Sequence, residues 1–156
     1  MNLKIIAVGK IKEKYMQSAI QEYEKRLSAY CSLSIIEIPA ENIYDENLSE
    51  KYKDTEADKI LQYIKGESYI ITLEIKGKPL SSEEFAVKIK EISNFGINEL
   101  VFIIGGANGL HRKISDLADF KLSFSNMTFT HQMIRLILLE QVYRSYKINL
   151  NEPYHR

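Results

Sequence analysis

The sequence predicts an α/β fold: one Rossmann-like domain in which helices cover both faces of a parallel sheet. Two observations carry this. Short apolar runs that stop at Gly or Pro alternate with longer stretches whose apolar residues recur every three or four positions. At 156 residues, the chain is long enough for one well-buried domain, 1–156, and too short for two comfortable ones. Strands alternating with helices imply right-handed crossovers and hence a parallel sheet.

The elements follow in order. Leu3 to Val8 is a short apolar run closed by Gly9, as a buried strand should be. Tyr15, Met16, Ala19, Ile20, Tyr23, Leu27 and Tyr30 then mark one face of a helix. Ser34 to Ile38 reads as a strand stopped by Pro39, and an acidic stretch leads to a mostly polar helix over about Ser49 to Ile64. Tyr69 to Ile75 is the next strand, with Lys76-Gly77-Lys78-Pro79 expected as a turn. Ser81 with Glu84 three residues on is a capping-box pattern, and Phe85, Val87, Ile89 and Ile92 continue that helix to Gly96. Leu100 to Ile104 is the most apolar strand, followed by a loop at Gly105-Gly106-Ala107-Asn108-Gly109. A short helix around Lys113 to Ala118, a strand at Phe120 to Phe124 and a long final helix from about Thr130 to Lys147 complete the chain.

Composition excludes several classes. Apolar residues make up 45% and charged residues 27%, with 7 Gly and 3 Pro, which carries no collagenous, disordered or repeat signature. The single Cys31 cannot form an internal disulfide and suits a reducing cytosol. The start, MNLKIIAVGK, is too short and too polar for a signal peptide, and no apolar run approaches the ~18 residues of a membrane span. No membrane partner and a cytoplasmic location are therefore expected. The 21 basic and 21 acidic residues balance, which argues against indiscriminate nucleic-acid binding. Glu37 to Asp58 holds eight acids against two bases, so the remainder carries a surplus of six positive charges.

Ligands of an open parallel sheet bind beyond the carboxyl ends of its strands. Three ends stand out: Leu73-Glu74, Gly105-Gly106, and the segment 124–129 between the last strand and the last helix. Glycines let a ligand lie against the backbone, although a tight turn would also use the Gly and Asn of this loop. GGANGL lacks the dinucleotide-binding spacing and GKPLS is not a phosphate loop. His111, His131 and His155 stand apart from one another, so no metal site is expected. The final helix is too apolar for a surface, yet carries Arg135, Glu140, Gln141 and Arg144; an interface between subunits explains both. Those arginines could equally form a solvated stripe or pair with Glu140. The closing Tyr154-His155-Arg156 offers a stacking ring, an imidazole and a guanidinium, which suit a base and a phosphate.

Taken together, LKIIAVGKIK (3–12), ITLEIKGKPLSSEEFA (71–86), LVFIIGGANGLH (100–111) and LSFSNMTFTHQMIRLILLEQVYRSYKINLNEPYHR (122–156) resemble the RlmH family of the SPOUT superfamily, over essentially the whole chain. Those proteins are pseudouridine N3-methyltransferases of the ribosomal large subunit. The resemblance implies a C-terminal deep trefoil knot and S-adenosylmethionine held by Leu73, Gly105 and the stretch Phe124, Ser125, Asn126, Met127, Thr128 and Phe129. It further implies a homodimer and, as substrate, helix 69 of 23S rRNA within the assembled ribosome. Tyr154 and His155 are expected to position the base, with Arg144 or Arg156 stabilising charge or phosphate, Arg135 and Arg156 contacting RNA, and His155 or His131 accepting the proton. Alternative readings are a SPOUT methyltransferase for another rRNA or tRNA site, and a non-catalytic flavodoxin-like nucleotide-binding module.

Overall fold

The computed structural model describes residues 1–42 and 45–154. The expectations for His155 and Arg156 lie outside the described residues. Five parallel strands form one sheet in the order β2-β1-β4-β3-β5, with β1 at Asn2–Val8, β2 at Ser32–Ile38, β3 at Tyr69–Pro79, β4 at Glu99–Ile104 and β5 at Phe120–Ser123. The connecting helices are α1 (Lys14–Leu27), α2 (Ser49–Leu61), α3 (Ser82–Asn94), α4 (Arg112–Ser115) and α5 (His131–Asn149), and a single 3-10 turn at Glu46–Leu48 precedes α2.

Side chains alternate across a strand, so every strand of a doubly covered sheet must be apolar at both parities. β1 sends Leu3, Ile5 and Ala7 to one core and Ile6 and Val8 to the other; β4 divides Leu100, Phe102 and Ile104 from Val101 and Ile103 in the same way. The first core is closed by Met16, Ile20 and Leu27 of α1, Phe85, Ile89 and Ile92 of α3, and Leu138, Leu139 and Val142 of α5. The second is closed by Ala57 and Ile60 of α2 and Ile114 of α4. Five strands with three helices on one face and two on the other match the expected architecture.

The capping box at α3 is complete. Ser81 Oγ accepts from Glu84 N at 3.1 Å, and Glu84 Oε2 accepts from Ser81 N at 2.7 Å. Ser81→Ala is expected to cost about 1 kcal/mol of unfolding free energy, read from the urea midpoint. An unchanged midpoint would remove the cap from the account of this helix.

The structure corrects the expected turn at 76–79. These residues extend β3, whose pairing with β5 slips between Leu73 and Lys78 and resumes at Lys78 and Pro79. Pro79 is tolerated because it ends the strand, where its missing N–H breaks no ladder. α4 is also shorter than expected, a single turn capped by His111, whose Nδ1 accepts from Lys113 N at 3.2 Å. No helix among the described residues is long and apolar enough to cross a membrane.

Candidate active site

The carboxyl ends of β3, β4 and β5 enclose a cavity of about 890 Å3. Such volume suits a nucleoside-sized ligand. Its walls bring together Leu73, Gly105, Phe124, Ser125, Met127, Thr128 and Phe129, while Asn126 of the same stretch does not line it. Lys76, Leu110 and Ile134 also face the cavity, with no sequence motif to mark them. Only the sheet topology, which sets these segments side by side, could have found them.

Backbone geometry shapes the walls. A Cβ on Gly105 would lie 2.8 Å from the Gly109 carbonyl carbon and 3.0 Å from Leu110 N, so the loop folds back on itself only with glycine here. Ser123 Oγ donates to Ile75 O at 2.9 Å and tethers the end of β5 to the extension of β3. Ser125 Oγ accepts from Met127 N at 3.0 Å, which rounds off the 124–129 loop. Glu74 is the only carboxylate lining the cavity among the described residues. Its oxygens accept from Thr72 Oγ1 at 2.7 Å and Ser115 Oγ at 3.1 Å.

α5 leaves the cavity carrying Thr130 as N-cap, its side chain accepting from Met133 N at 3.2 Å. His131 lines the cavity from the first turn. The expected RNA contact at Arg135 is corrected. Its side chain is 1% exposed, and the guanidinium donates to Glu37 Oε1 at 2.6 Å and Gly9 O at 3.0 Å, so it has no face for RNA. Arg144 is the arginine that pairs with Glu140, Nη2 to Oε1 at 2.5 Å.

Tyr154 and Arg144 come together on the α1–α5 side of the sheet, and neither lines the cavity. The Arg144 guanidinium lies 4.8 Å from the Tyr154 ring centroid, and the ring stands edge-on to Tyr143 at 4.9 Å. Tyr154 Oη donates to Glu140 Oε1 at 3.2 Å. Burial, with Tyr23 and Glu140 beside it, pushes this phenol above its ordinary value, so it stays protonated. Glu152 pins the tail by accepting from Tyr30 Oη at 2.8 Å and pairing with Lys147. No His/Cys/Asp/Glu group among the described residues could hold a metal ion.

With this geometry, similarities to known proteins have a clear meaning. A family model described as "Predicted SPOUT methyltransferase" matches residues 1–155. The chain is 54% identical to the ribosomal RNA large subunit methyltransferase H of Clostridioides difficile (strain 630), and 52% identical to the putative ribosomal RNA large subunit methyltransferase H of Methanococcus maripaludis (strain C5), over 100% of each chain. A solved structure of a probable methylase family protein from Haemophilus influenzae Rd KW20 superposes with a TM-score of 0.58 at 13% identity, covering 99% of this chain and 70% of that one. That likeness speaks for the fold alone. A family model spanning the chain nearly end to end, and relatives alike over their full length, make this chain a member of the SPOUT methyltransferase family.

Proposed function

We propose that this chain is a single-domain, S-adenosylmethionine-dependent methyltransferase of 23S rRNA, acting on N3 of a pseudouridine in helix 69 of the assembled ribosome. The observation that carries the reading is the cavity at the ends of β3, β4 and β5, in a chain matched throughout by a methyltransferase family. The names of the relatives similar to this chain favour ribosomal RNA as substrate.

The residues present fit the cofactor. A glycine backbone at 105 with no room for a Cβ leaves main-chain groups to meet an adenosine, and Leu73 and Phe124 offer apolar walls. When bound, the cofactor supplies a methyl group on a sulfonium centre. Leu73, Gly105 and the 124–129 loop would hold it, the protein's task being alignment of donor and acceptor and exclusion of water. Tyr154, His155 and Arg144 would position the base, and Arg156 would meet phosphate.

The C-terminal segment would pass through a loop as a deep trefoil knot, as the family resemblance implies. A cytoplasmic homodimer completes the reading. Tyr154 and Arg144 stand away from the cavity of their own chain, and a second copy would bring its tail to that cavity. The balanced total charge suits a docking surface set by two copies rather than by a uniformly basic domain.

The decisive measurement is transfer of labelled methyl from S-adenosylmethionine to whole ribosomes that lack the modification, with free rRNA alongside. Label at one pseudouridine of helix 69, and far less on free rRNA, is expected. Label elsewhere, or on transfer RNA, would replace the substrate.

A further inference from the structure

Beside the cavity, the first turns of α5 rest on a polar cluster built around the buried Arg135. Arg135 is enclosed between Glu37 at the end of β2 and the Gly9 carbonyl at the end of β1. Glu37 Oε1 also accepts from Ile11 N at 3.2 Å. One turn before Arg135, His131 lies on Gly9, where a Cβ would meet Cε1 at 2.5 Å and Nε2 at 2.8 Å. Gly9 sits at φ +98°, a backbone conformation that favours glycine, and the ring packs directly over it.

Three polar atoms here are buried with no hydrogen-bond partner: His131 Nδ1, Glu13 Oε2 and Arg135 Nε. Glu13 is the N-cap residue of α1, yet its side chain makes no capping bond. The imidazole thus feels Glu13 from α1, Glu37 from β2 and Arg135 from its own helix. Burial and Arg135 hold its pKa below the ordinary value, and the carboxylates oppose them. It is a neutral ring that lines the cavity, packed on Gly9 with its Nδ1 buried and without a hydrogen-bond partner.

Among the described residues, the other candidates for the same proton are worse placed. Glu74 has both oxygens engaged by Thr72 and Ser115. Tyr154, whose pKa is raised by burial, holds its phenolic proton and stands away from the cavity. The geometry points to His131 as the group that takes the proton from the methyl acceptor, with the Arg135–Glu37 pair as the device that positions it; this rests on the methyltransferase reading above. The acceptor is a planar base with an imide-type N–H, and the co-reactant is a sulfonium methyl donor. The N–H proton passes to His131 as the nitrogen's electron pair bonds the methyl carbon. The carbon–sulfur pair stays on sulfur, leaving a thioether, and the imidazolium then loses its proton to water. Removal of a proton by a positioned base contributes about 10²- to 10⁴-fold to rate.

The test is single-turnover methyl transfer to ribosomes over a pH series, with S-adenosylmethionine affinity measured by calorimetry. In the wild type, the rate should rise along a one-proton limb with its midpoint below the ordinary 6.5 of histidine and then level off. His131→Gln should lose that limb and slow transfer about 10²-fold or more, with cofactor affinity within about threefold of wild type. Glu37→Gln removes a carboxylate that raises the imidazole's pKa, so its limb should move to lower pH. His131→Gln with a wild-type rate and limb overturns the proposal alone, as does a slow His131→Gln whose lost cofactor affinity accounts for its rate. Should that variant not fold, a Glu37→Gln limb at the wild-type midpoint is enough to overturn it. Wild type that methylates no RNA at any pH overturns both the proposal and the reading beneath it.

Discussion

Arg135→Leu is expected to lower the unfolding free energy by about 3 kcal/mol, near the lower end of what removing one partner from a buried ion pair costs. The lower end applies because the Glu37 side chain is 34% exposed and can recover part of its hydration. The Gly9 carbonyl loses its side-chain donor at the same time, in the interior of the protein. For a domain of this size, the loss corresponds to roughly 6–12 °C in Tm. The Arg135→Leu/Glu37→Leu double variant should recover much of the loss, since a pair replaced by apolar side chains leaves no stranded charge. Urea unfolding of the two variants and the wild type separates the cases. An Arg135→Leu protein within about 0.5 kcal/mol of wild type would mean that the pair contributes no more than an exposed one.

Gly105→Val is the second large effect, and it falls on binding. The new Cβ would stand 2.8 Å from main-chain carbon of Gly109, and backbone cannot swing aside as a long side chain does. The 105–109 loop must open, moving one wall of the cavity. S-adenosylmethionine affinity should fall about 100-fold or more, equivalent to about 2.7 kcal/mol, as read by titration calorimetry. A Kd within about fivefold of wild type would show that the cofactor does not lie against this loop.

Much of the fold was legible because its signals are local. The apolar parity of LVFII, the spacing along α1 and the Ser81–Glu84 pair each lie within one element. That the three strand ends meet at one cavity was legible too, since their adjacency follows from the topology of a parallel sheet. What failed was non-local. Lys76-Gly77-Lys78-Pro79 has turn composition, but β5 offers it a partner that composition does not reveal. Arg135 read as a candidate for RNA because its partners lie 98 and 126 residues away in sequence. His131 could be named, but its setting over Gly9 could not. The tail was the most specific signal for the family, yet its link to the turn after α1 through Tyr30 and Glu152 joins residues 122 apart.

The bond from Arg135 to the Gly9 carbonyl joins the last helix to the first strand. A loop of that length is slow to close and is worth nothing until both ends exist. While the chain is being made, β1 and β2 can pair, but their carboxyl ends wait for a guanidinium still to be synthesised. A chain stopped short of α5 lacks the guanidinium that meets the Gly9 carbonyl and the Leu138, Leu139 and Val142 side chains that close the first core. The same helix sets the His131 imidazole over Gly9, so one element both seals the core and completes a wall of the cavity.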